Sequence, residues 1–227
     1  LHENLAMPIR HFDLELADLK RSLVTMGNLV ERALAIAVTA INKPDTAARE
    51  QCRSIEDQLD QLDTAIEDRC HQIIALQKPA VGELRLVIAA MRITSELEQM
   101  GDRAESVAKR AASIAKGTLV ENPPQLATLG DLVQNMVRHT LESFITGNLS
   151  QAKGVMVDED ESDHLTKECY HWIQEAMGRR PDLIREYSHL LRAVAHLEHI
   201  ADVAVTIAEE SVYIYRGTNI RHQHDVL

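Results

Sequence analysis

Apolar residues recur every three to four positions along nearly the whole chain, in long runs that contain hardly a turn former. From His11 to Ile41 one stripe carries Leu16, Leu19, Leu23, Met26, Leu29, Val30, Ala33, Leu34, Ala37 and Ile41. That period belongs to an amphipathic helix, and a strand of this length would be exceptional. Breaks are few and sharp. Asn42-Lys43-Pro44-Asp45 ends the first helix, with Asp45 expected to cap the second, which reaches about Leu76. Pro79 precedes a third helix from about Gly82 to Lys116, closed at Gly117. After Asn122-Pro123-Pro124 the pattern resumes, with helices over about Leu126–Ile145, Ser150–Met177 and Leu183–Tyr215. Only 9 Gly and 6 Pro stand among 227 residues, so sandwiches and barrels, which need many turns, are excluded.

The second half repeats the first. A shift of 100 residues carries Arg92, Leu97, Glu98, Asp102, Ala104 and Ala108 onto Arg192, Leu197, Glu198, Asp202, Ala204 and Ala208. A shift of 103 carries Glu56, Asp57, Asp60 and Leu62 onto Glu159, Asp160, Asp163 and Leu165. A shift of 107 carries Asn28, Val30 and Leu34 onto Asn135, Val137 and Leu141. The offset drifts in the turns, where insertions are tolerated. The reading is an all-α fold of two tandem antiparallel three-helix bundles: residues 1–117, then 123–217, then a loose polar tail over 218–227.

Net charge is -11 and aromatic residues are scarce, which argues against a nucleic-acid binder, since that would need basic stripes or stacking platforms. No continuous apolar run reaches the ~18 residues that suggest a membrane span, and His2, Glu3 and Asn4 do not resemble a signal peptide. Cys52, Cys70 and Cys169 form no Cys-x-x-Cys, so free thiols in a reducing compartment are expected.

The acids carry the chemistry. Glu98 and Asp102 lie four apart on one helix face, and Glu198 and Asp202 repeat them. Acids so spaced are usually a solvated surface. Here they flank the core stripe, and folding each hairpin about its turn brings further acids level. Glu56 and Asp60 join the first pair, Glu159 and Asp163 the second, and Glu31 falls near the level of Glu56. Four carboxylates at one height repel unless a cation lies among them. Oxygen ligands suit Mg, Ca, Mn or iron better than zinc. The metal-ligand set is therefore Glu98, Asp102, Glu56 and Asp60, with Glu198, Asp202, Glu159 and Asp163. No catalytic residue and no phosphate-binding loop is evident. Glu168-x-x-His171 and Glu186-x-x-His189 have the spacing of ferritin-like di-iron sites, but the first repeat has Cys70 three residues after Glu67. A di-iron oxidase and a metal-free structural bundle remain the alternatives.

The chain resembles the phosphate-uptake regulator (PhoU) family in three stretches. These are Leu23-Val24-Thr25-Met26-Gly27-Asn28-Leu29-Val30-Glu31, the turn Gln77-Lys78-Pro79 with Glu83-Leu84-Arg85, and the paired Leu97-Glu98-Gln99-Met100-Gly101-Asp102 and Leu197-Glu198-His199-Ile200-Ala201-Asp202. The resemblance implies multinuclear metal clusters, iron or zinc, held by the Glu/Asp motifs. It implies a cytoplasmic, non-enzymatic negative regulator, expected to be a homodimer. Such a regulator links the phosphate ABC transporter ATPase to a sensor histidine kinase. Gln99 and His199 replace the family's usual Arg, and Ala201 replaces its Gly; Ala201 is expected to hold neighbouring helices slightly farther apart.

Overall fold

The computed structural model describes residues 11–217; the polar tail over 218–227 and the start of the first repeat, residues 1–10, lie outside the described residues. Six α-helices account for nearly all of it: α1 (His11–Asn42), α2 (Ala48–Gln77), α3 (Val81–Lys116), α4 (Leu126–Thr146), α5 (Leu149–Arg179) and α6 (Ile184–Arg216). Among the described residues there is no strand. A short 3-10 turn, Pro181–Leu183, joins α5 to α6.

Ends follow local chemistry. Gly147 and Gly217 close α4 and α6 in the left-handed conformation that a Cβ disfavours. Lys78 does the same for α2 at φ 46°, just before Pro79. Gly117 closes α3 at φ −100°, without the left-handed turn. Asp45 does not cap α2. Ala47 occupies that position, and the Asp45 carboxylate accepts a hydrogen bond from the Ala47 N–H at 3.0 Å inside the turn. The linker is pinned, because Asn122 Nδ2 donates to the carbonyls of Ile41 and Asn42 at 3.2 Å and so satisfies the open end of α1.

Within each repeat the three helices pack on one another, α1 with α2 and α3, α4 with α5 and α6. The repeats then join through α3 on α6 and α1 on α4, so that a single hydrophobic core runs through both. α3 and α6 are antiparallel. Arg92 near the start of α3 bonds Glu210 near the end of α6 at 3.1 Å, while Glu186 at the start of α6 lies against Gly117 at the end of α3. Thr140 Oγ1 of α4 donates to the Ala204 carbonyl of α6 at 2.9 Å, giving a buried hydroxyl its partner.

By length and composition α1 is apolar enough to cross a membrane. Its stripe has an evident use in the fold, since Leu19, Leu23, Met26, Val30, Leu34 and Ile41 are all buried in the core. Cys52, Cys70 and Cys169 are free and buried.

Candidate functional site

In the first repeat the hairpin places α2 and α3 side by side, and Gly101 decides how close they come. A Cβ on Gly101 would lie 2.2 Å from Leu59 Cδ1, so bare backbone here lets the leucine cross α3. The acids on either side of this crossing then face one another. Burial lifts Glu98 above the usual carboxylate range, and the charges of Asp102, Asp60, Asp63 and Glu56 add to it. Asp102 is lifted by burial and by Asp60, with Arg103 opposing. Glu56 is lifted by burial, then by Asp60 and Asp102. The four expected ligands of this repeat thus share one field. Asp63, also raised by burial, belongs with them, one helical turn beyond Asp60.

The second repeat is built differently. Tyr170 Oη donates to Glu198 Oε2 at 2.7 Å, an arrangement the first repeat has no residue to copy, since the position matching Tyr170 is Glu67. Asp202 is raised by burial and Glu198, lowered by His199 and raised by Asp163. Asp163 of α5 acts on Asp202, while the long Tyr170 side chain reaches Glu198 from farther along the same helix. Thr166 stands where the first repeat has Asp63. The second cluster is therefore poorer in acid.

Glu31 does not join Glu56. Burial raises it, and Arg138 and Glu142 of α4 are the charges that act on it. The histidines of the two Glu-x-x-His motifs meet different neighbours. His171 is exposed on α5 beside Glu175 at 3.2 Å, while His189 of α6 lies within the influence of Arg110 on α3.

Among the described residues no group of three or more His, Cys, Asp or Glu side chains already stands in a metal-binding arrangement. The donor set nevertheless suits a hard cation. It is all oxygen, it is partly desolvated, and its members push one another's protonation upward, which a bound ion would relieve.

The sequence model of the PhoU domain matches residues 23–111 and again residues 126–211. The chain belongs to the PhoU family. A phosphate-specific transport system accessory protein PhoU homolog of Pseudomonas aeruginosa is 32% identical over 214 residues, covering 94% of this chain and 88% of the relative. A protein of the same name from Aquifex aeolicus is 32% identical over 210 residues, covering 92% of this chain and 95% of its own. The crystal structure of PhoU from Pseudomonas aeruginosa superposes with a TM-score of 0.87 at 32% identity, over 92% of this chain and all of that one. That of the phosphate transport system regulatory protein PhoU from Streptococcus pneumoniae gives 0.81 at 30% identity, over 92% and 99%. The six-helix architecture is thus the PhoU architecture.

Proposed function

We propose that this chain is a non-catalytic regulator of phosphate uptake, acting in the cytoplasm as an adaptor. It would contact the ATPase of a phosphate ABC transporter and the cytoplasmic part of a sensor histidine kinase, and hold the starvation response off when phosphate is plentiful. The observation that carries this is the double match to the PhoU domain, together with relatives named as accessory proteins of the phosphate-specific transport system over more than nine-tenths of the chain. Long helices without a catalytic constellation suit a scaffold that presents faces to partners. Its working form is proposed as a homodimer.

The reading includes metal. Glu98, Asp102, Glu56 and Asp60, with Asp63 beside them, would hold ions in the first repeat, and Glu198, Asp202, Glu159 and Asp163 in the second. Iron or zinc are the first candidates, with Mn, Mg or Ca as further ones. The ion would supply positive charge, which removes the repulsion between α2 and α3 and ties them together.

Two measurements test the two halves of this reading. Purified transporter ATPase and kinase cytoplasmic domain are offered to the immobilised protein; retention of at least one supports the adaptor, and retention of neither sinks it. Elemental analysis of chelator-free preparations compares wild type with the Asp102→Ala, Asp202→Ala double variant. Metal in the first and not in the second supports the site, and equal content removes it.

A further inference from the structure

The two ends of the α3–α6 seam differ in charge. At one end the charges are matched: Arg92 pairs with Glu210 at 3.1 Å, and Arg85 lies over the Tyr213 ring at 5.2 Å. At the other end the facing residues are Arg103 and Arg110 on α3 with His189, Arg192, His196 and His199 on α6. Arg103, Arg110 and Arg192 take part in no ion pair among the described residues, in a protein whose net charge is -11. Asp102 feels the charge of Arg103, and Glu186 acts on His189, but neither acid forms an ion pair with these arginines among the described residues.

A second observation points the same way. Three buried side-chain nitrogens lack a hydrogen-bond partner among the described residues, and all three are here: Arg103 Nε, Arg110 Nε and His199 Nε2. Buried donors are nearly always satisfied, and an orphan costs about 1–3 kcal/mol. A guanidinium offers its Nε and one Nη as a fork matched to two oxygens of a single oxyanion. Arg103 and Arg110 are seven residues apart on one face, ~10 Å along the helix, which one phosphate cannot bridge. Two or three linked groups would.

We propose that the C-terminal half of α3 and the N-terminal half of α6 form a binding site for a compound carrying linked phosphoryl groups. The duplication supplies an internal contrast. The position matching Arg110 is Glu210, so one end of the seam is neutralised and the other left cationic. This inference does not depend on the adaptor reading, since it concerns the isolated protein. The phosphoryl chain could be inorganic or part of a nucleotide, and the test separates the two.

The full chain, stripped of metal and kept in chelator at physiological ionic strength, is titrated calorimetrically with inorganic phosphate, tripolyphosphate and ATP. The expected result is saturable 1:1 binding of tripolyphosphate, ATP or both, at least tenfold tighter than phosphate. Preference for ATP identifies a nucleotide, and preference for tripolyphosphate an inorganic chain. Binding should fall at least tenfold in Arg103→Gln, Arg110→Gln. It should persist in Arg179→Gln, Arg216→Gln, which loses the same charge elsewhere. Circular dichroism melting of both variants checks the fold. Should the first variant melt early, Arg192→Gln alone replaces it. No saturation by either polyphosphate, or equal loss in both double variants, overturns the proposal.

Discussion

Gly101 and Leu59 meet where α2 crosses α3, with no room for a methyl group between them. The corresponding pair in the second repeat is Ala201 and Ser162, both buried. In sequence, then, the glycine and leucine of one repeat correspond to an alanine and a serine in the other.

Gly101→Ala should destabilise the protein. Overpacking typically costs about 1–3 kcal/mol, and the better helix propensity of alanine returns up to ~1 kcal/mol. A net loss of about 1–2 kcal/mol is expected in chemical denaturation. Adding Leu59→Ser should then cost less than Leu59→Ser does alone, and additive losses would show that the two positions are not coupled.

Tyr170 already occupies one oxygen of Glu198. Any ion in the second repeat must compete with that hydroxyl, and it finds fewer acids there. The first repeat should bind metal more tightly, so Asp102→Ala should lower metal affinity more than Asp202→Ala. Tyr170→Phe should cost about 1 kcal/mol of apo stability and tighten the second site. A metal titration of the three variants decides, and a weaker second site in Tyr170→Phe would contradict the account.

Stability without metal should depend on pH in a defined sense. Glu98 has a raised folded pKa, caused first by burial and then by neighbouring acids. Its protonated form is favoured in the fold, so its contribution is present below the unfolded carboxylate pKa of ~4.3 and lost as pH rises through the folded value. Glu98→Gln should accordingly raise the melting temperature of chelated protein at pH 7 and change little near pH 4. Saturating metal should reverse the sign at pH 7. An identical shift at both pH values would rule out the proposed repulsion.

The cysteines should be silent in the folded state. Burial pushes Cys52 up to about 12 and Cys70 and Cys169 up to about 11, so thiolate is scarce and enclosed. A thiol reagent at pH 8 should label none of them until denaturant is added and then label all three. Rapid stoichiometric labelling of native protein would contradict this packing.

The helices were legible because their ends carry Pro and Gly and their interiors carry one unbroken period. His11, Lys116 and Leu126 bound elements where the spacing put them. The first acidic cluster was legible for the same reason, since a hairpin about Pro79 is a short, regular fold of adjacent sequence. In the second, duplication pointed to Asp163, which acts on Asp202, but said nothing of Thr166 standing where the first copy has Asp63. Tyr170 was passed over because its role arises from a partner 28 positions away. The cationic seam was harder still: Arg110 and His196 come from different repeats, and internal repetition says how each copy folds but not how the copies meet.

The crossing of α3 on α6 brings equivalent helices together antiparallel, as an isologous contact does in a dimer of identical subunits. Were the halves separate identical chains, symmetry would oblige both ends of the junction to bear the same side chains. Fusion into one polypeptide lifts that obligation. It permits a single molecule to be neutral at one pole and electropositive at the other, and so to have a direction.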